Sequence, residues 1–155
     1  MIFEIALEFL PSKRLPEFCP GRRLSLATFR DYTPLLAARN FFKLDDADVL
    51  IICDDFNLSL GKLRCRAKGS SGGQKGLQDI FRCLGSEQLP RLRIGIGAPP
   101  DGWDVADYVL SKFRSDEEEL IRQAVVRAAD AAVDWVREGI QVCMNRYNAD
   151  STSPD

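Results

Sequence analysis

Five consecutive apolar residues, Val49-Leu50-Ile51-Ile52-Cys53, run without alternation and stop at two acids, Asp54-Asp55. A strand that is apolar on both faces must be covered on both faces, which is the situation of a parallel strand inside an α/β sheet. In open α/β sheets ligands sit beyond the carboxyl ends of the strands. Asp54 and Asp55 therefore either mark a site or simply open a turn.

The next stretch alternates. Leu63, Cys65 and Ala67 fall on one side, and Lys62, Arg64, Arg66 and Lys68 on the other. That is the period of a half-buried strand with a basic face, which suits a polyanionic partner or a solvated surface. A glycine-rich loop follows, Gly69-Ser70-Ser71-Gly72-Gly73-Gln74-Lys75-Gly76, and leads into Leu77, Ile80, Phe81 and Leu84, a helical spacing closed by Gly85. Such a loop offers free backbone N–H groups at the positive end of a helix, a setting for phosphate, or it is only a bent surface loop. It is not a nucleotide P-loop, because Lys75 follows Gln74 and no Ser or Thr comes after it. Gly95-Ile96-Gly97 does not open a dinucleotide fingerprint either, since Ala98-Pro99-Pro100 follows.

At 155 residues the chain makes one domain, with 45% apolar and 28% charged residues, as in ordinary globular proteins. The formal net charge is −2, so any nucleic-acid contact must come from a local patch such as residues 62–75. The five cysteines, Cys19, Cys53, Cys65, Cys83 and Cys143, lack CxxC spacing and read as reduced thiols of a cytoplasmic protein, neither disulfides nor zinc ligands. No apolar run is long enough to span a membrane, and no signal peptide is expected. There is no histidine, which removes imidazole catalysis and histidine metal ligation from this chain.

Before this region, residues 2–9 read as a short strand, prolines at 11, 16 and 20 break regular structure, and residues 23–27 alternate as a second strand. Thr33-Pro34 reads as a helix start. After it, Pro99-Pro100-Asp101-Gly102 is a turn and residues 104–110 a short helix. Trp103 either stacks on a base or packs inside, with packing favoured. Ser115 and Glu118 form a capping box for one long amphipathic helix whose core stripe runs from Leu120 through Trp135 to Tyr147. Arg122, Arg127, Arg137 and Arg146 lie in a mixed-charge face that reads as solvated. Residues 1–148 make the domain, and 149–155 read as a disordered tail.

Three motifs in combination, CDDFNLSLGKLRCRAKGSSGGQKGLQDI, PRLRIGIGAPP and DVADYVLSKF, resemble the bacterial-type peptidyl-tRNA hydrolase family over residues 41–148. The resemblance implies a monomeric α/β domain with a mixed β-sheet flanked by helices. It also implies hydrolysis of the ester joining a peptide to the tRNA 3′ end, with peptidyl-tRNA as partner and no metal or other cofactor. Asp54 takes the position of the family's catalytic acid. The family loop GGHNG is here Gly72-Gly73-Gln74-Lys75-Gly76, so Gln74 replaces a histidine and Lys75 a substrate-contacting asparagine. Gly73, Gln74, Lys75 and the cations Lys62, Arg64, Arg66 and Lys68 become candidate tRNA contacts.

The front of the chain departs from the family. The motif GLGNPGxxYxxTRHNxG, which supplies the catalytic histidine, has no counterpart, and part of the N-terminal strand and loop is expected to be missing. Thr28-Phe29-Arg30-Asp31 is a candidate remnant of TFMNxSG that would put Asp31 at its asparagine, although the spacing to Phe41-Phe42 is shorter than the motif requires. A start site set too late or an upstream frame error is favoured over evolved loss. A chain of this kind is expected to be impaired in hydrolysis. The alternative is a non-catalytic tRNA-, RNA- or protein-binding member, resembling the chloroplast splicing-factor relatives of the family.

Overall fold

The computed structural model describes residues 33–149. Both strands expected near the start, and Asp31, lie outside the described residues. Helix α1 (Thr33–Phe42) leads through a short 3-10 turn (Asp46–Asp48) into strand β1 (Ile51–Asp55). Strand β2 (Leu63–Arg66), helix α2 (Lys75–Leu84) and strand β3 (Arg91–Gly95) follow, then helices α3 (Val105–Leu110), α4 (Glu118–Glu138) and α5 (Ile140–Tyr147).

Strand β3 lies between the other two, giving the order β1-β3-β2, with β1 parallel and β2 antiparallel to it. The sheet is therefore mixed, as the family resemblance implies. The unalternating run is covered on both faces. Ile51 packs with Leu77, Ile80, Phe81 and Leu84 of α2, whereas Ile52 packs on the cluster formed with α4 and α5. That second cluster holds Leu63, Cys65, Leu92, Ile94, Ala124, Ala128, Trp135 and Cys143. Leu63 and Cys65 are buried as the alternation requires, which turns Arg64 and Arg66 to the face where α2 lies. Helix α2 ends at Gly85, whose φ of 69° lets the chain leave in the left-handed conformation. Arg39 of α1 donates to the Leu84 carbonyl (2.8 Å) and pairs with Asp46 (2.6 Å), so it ties α1 to the C-terminus of α2.

Gly95 is fixed by space. A Cβ there would stand 2.0 Å from the Ser59 carbonyl oxygen, because the loop between β1 and β2 folds directly over the end of β3. That loop is stitched to β3 by Gly61 N–H to Gly95 O (2.9 Å), Gly95 N–H to Lys62 O (2.7 Å) and Gly97 N–H to Leu58 O (3.0 Å).

Several features differ from the sequence reading. The long C-terminal helix is two helices, broken at Gly139 with φ 88° and ψ 174°, and α5 folds back on α4 and β2. Glycine at this point lets the backbone leave helical geometry where any L side chain would be strained. The Ser115–Glu118 capping box does not form. The N-cap is Glu117, without a side-chain cap of its own, and its carboxylate instead accepts the Arg114 N–H (2.9 Å). Leu120 begins the stripe but is exposed, lying against Gly61. Trp103 is 55% exposed, against the packing expected for it, because the chain turns at Gly102 and leaves the indole outside both apolar clusters.

Candidate functional site

β1 and β3 run parallel, so their carboxyl ends lie side by side, and Asp55 pairs in register with Gly95. The N-terminus of α2 joins them through one side chain: Gln74 donates from Nε2 to the Asp54 carbonyl oxygen. Gln74 is the N-cap residue of α2, yet its side chain caps nothing in that helix and reaches the strand instead. Lys75, the next residue, opens α2 and is exposed. Gly72 and Gly73 have φ of 61° and 86°, and no atom lies within 4 Å of where a Cβ would be. The middle of the loop is thus open, and its end is tied to the sheet.

The two acids at the end of β1 have different surroundings. Asp54 is half-buried, and desolvation raises its carboxyl above the usual value of 3.8, with the neighbouring Asp55 charge adding to the rise. Asp55 is fully buried. Its Oδ1 accepts the Asn57 N–H (2.9 Å), an Asx-type bond that starts the loop. Its Oδ2 is in ion-pair contact with the Arg93 guanidinium. Cys53 lies one residue earlier, and burial followed by the Asp54 charge pushes its thiol up to about 12, so it is no nucleophile at neutral pH.

Register explains the basic face. Arg64 of β2 stands opposite Arg93 of β3, and Arg66 stands opposite Arg91. Two cross-strand pairs of guanidinium groups therefore share one side of the sheet. The sequence reading identified Arg64 and Arg66 but missed Arg91 and Arg93. The signal was present in Arg91-Leu92-Arg93-Ile94, which has the same alternation as β2. Of the outer cations, Lys62 is half-buried and Lys68 exposed. Arg122 pairs with Glu119, both exposed, and the exposed Arg146 pairs with Glu138 and with the half-buried Asp134. Among the described residues no group of three or more His, Cys, Asp or Glu side chains could hold a metal ion. No described helix is long and apolar enough to cross a membrane.

The chain has counterparts among known proteins. The family model described as peptidyl-tRNA hydrolase matches residues 33–155. The chain is 55% identical over 114 residues to a peptidyl-tRNA hydrolase of Rhodopirellula baltica, covering 74% of this chain and 60% of that protein. It is 43% identical over 134 residues to one from Chlorobaculum tepidum, covering 83% and 72%. A crystal structure of peptidyl-tRNA hydrolase from Acinetobacter baumannii superposes with a TM-score of 0.67 at 30% identity, covering 74% of this chain and 58% of that one. The chain spans about 60% of the length of the first of these relatives. By sequence and by fold, the chain belongs to the peptidyl-tRNA hydrolase family.

Proposed function

We propose that the protein acts on peptidyl-tRNA, with Asp54 as the catalytic acid position and the arginine face holding the tRNA. One observation carries this reading: Asp54 is tied by its own carbonyl to Gln74 of the open glycine loop, on the same sheet that presents the paired arginines of β2 and β3. Guanidinium groups match phosphate geometry, and an open loop at a helix start can donate backbone N–H groups to an anion. Lys75, Gly73, Lys62 and Lys68 extend the same surface. Residues 1–148 act as one domain, with 149–155 as a tail, in a cytoplasmic monomer. The four described cysteines, all free and three of them buried, agree with a reducing compartment.

Ester hydrolysis requires a base that takes a proton from the attacking water and donors for the developing oxyanion. In the family resemblance that base is a histidine oriented by the acid at Asp54, and this sequence has no histidine. A carboxylate working alone is a weak base for water. Losing the base of a hydrolase triad lowers the rate by about 10³- to 10⁶-fold. The chain as it stands is therefore expected to hydrolyse peptidyl-tRNA slowly or not at all. The missing imidazole also favours a second reading, a member that binds tRNA without turnover.

Hydrolysis and binding of peptidyl-tRNA should be compared between this chain and a version extended by any in-frame upstream segment with the GNP and TRHN motifs. Turnover by the extended form alone supports the enzyme reading. Tight tRNA binding with no turnover, and no such upstream segment, supports the binding reading. Rapid turnover by the present chain would overturn the assignment of catalysis to a histidine-assisted Asp54.

A further inference from the structure

Arg91 is the first residue of β3, and it is only 5% exposed although it is a guanidinium on the basic face. Its charged neighbours Arg93 and Arg66 are both repulsive, and the Glu87 carboxylate opposes them more weakly. Burying a cation beside two others, with its Nε unpartnered, is unfavourable for folding. A buried apolar side chain of similar length would be easier to accommodate, so the guanidinium calls for a reason beyond packing.

Its contacts supply one. Nη1 donates to the Ser70 carbonyl oxygen (2.5 Å), and the guanidinium carbon lies 5.7 Å from the centre of the Phe81 ring, which fixes the plane of the group. Its Nη2 occupies the space above Gly69, where a Cβ would stand 2.8 Å away and where φ is 134°. The loop is therefore held at both ends by side-chain bonds to or from the sheet: Arg91 to Ser70 at its entry, and Gln74 to the Asp54 carbonyl at its exit. Gly72 and Gly73 lie between these two anchors with nothing packed on them.

We propose that Arg91 is a positioning residue, which holds residues 69–74 in the shape that presents the loop's backbone to RNA while making no phosphate contact itself. The proposal rests on the reading of this face as the tRNA surface, and it separates Arg91 from its outward neighbours Arg64 and Arg66.

The test uses the whole chain with Arg91→Met and Arg91→Lys. Amide hydrogen exchange of residues 70–74 is read without RNA, and thermal unfolding is read alongside. Uncharged tRNA binding is then titrated across a salt series. Arg91→Met keeps the stem over Phe81 and removes the buried charge. Its Tm is expected to hold or rise, while loop exchange accelerates about tenfold or more. Its tRNA affinity should fall several-fold with the slope of log affinity against log salt unchanged. Arg91→Lys, which keeps the charge but not the fork, should also speed loop exchange. Unchanged loop exchange in both variants overturns the proposal. So does a drop of about one in the salt slope of Arg91→Met, which would mark a direct phosphate contact. If Arg91→Met does not fold, loop exchange in Arg91→Lys decides. If the unmodified chain has no affinity for tRNA, the RNA reading fails, and loop exchange still decides whether Arg91 holds the loop.

Discussion

Asp54 and Asp55 are neighbours in sequence, but the pleat of β1 sends their side chains to opposite faces of the sheet. Burial holds the Asp54 carboxyl above its ordinary value, so the folded chain binds that proton more tightly than the unfolded chain does. The stability this proton confers is complete below 3.8 and is lost as pH rises through the folded-state value. At neutral pH the ionised carboxylate is therefore a standing cost. Asp54→Asn is expected to be more stable than the parent at neutral pH, and urea unfolding along a descending pH series should show the difference closing towards 3.8. Replacing Asp55 is expected to destabilise the fold instead, through its ion pair. Its buried carboxylate answers Arg93, whose side chain is 26% exposed, and holds the Asn57 amide. Asp55→Asn leaves that guanidinium without a counter-charge and should lower unfolding free energy by about 3 kcal/mol, measured in urea. Sequence alone marked both acids as a strand end. It could not divide their roles, because the division depends on Arg93 arriving from another strand.

At the scale of elements, the strands and α2 were legible because each carries a simple period. The apolar run of β1, the two-residue alternation of β2 and the Leu77, Ile80, Phe81, Leu84 spacing of α2 all appear where they were expected. The break between α4 and α5 was not legible in the same way, since the apolar stripe continues across Gly139 and only the backbone angle interrupts it. That break places Asn148 beside β2. Its Oδ1 accepts the Cys65 N–H (2.6 Å), and its Nδ2 donates to the Cys65 carbonyl (3.0 Å). One amide side chain thus serves as a strand partner on the side of β2 away from β3, where an open edge would otherwise invite pairing with another chain. Asn148→Ala should lower stability by about 1–3 kcal/mol in urea unfolding. Asn148→Asp should lower it too, because a carboxylate cannot donate to the Cys65 carbonyl. No spacing rule in the sequence links residues 65 and 148, so this contact could be found only in three dimensions.

Across the whole molecule, a chain with formal net charge −2 presents two facing rows of arginine on one side of its sheet. On that face Asp55 answers Arg93, and most other carboxylates in ion pairs lie elsewhere, on α4 and the turn before it, where Asp116, Glu119, Asp134 and Glu138 engage helix or turn arginines. Net charge therefore says little about what the sheet face meets. Counterion release on binding RNA depends on how many phosphates are neutralised locally, not on the total. Arg64 and Arg66 are half-buried, and among the described residues neither is ion-paired with a carboxylate, so the proposed tRNA surface is best tested at these two positions. Arg64→Gln with Arg66→Gln should weaken tRNA binding at low salt and lower the slope of log affinity against log salt by about one to two. Arg122→Gln with Arg146→Gln removes the same formal charge from helix cations already paired with carboxylates, and should leave that slope unchanged. Equal losses from the two double variants would mean that RNA senses the summed charge, and the arginine face would then have no special claim as the binding surface. A loss confined to the β2 pair would mean that strand register, which set Arg64 against Arg93 and Arg66 against Arg91, creates the binding surface.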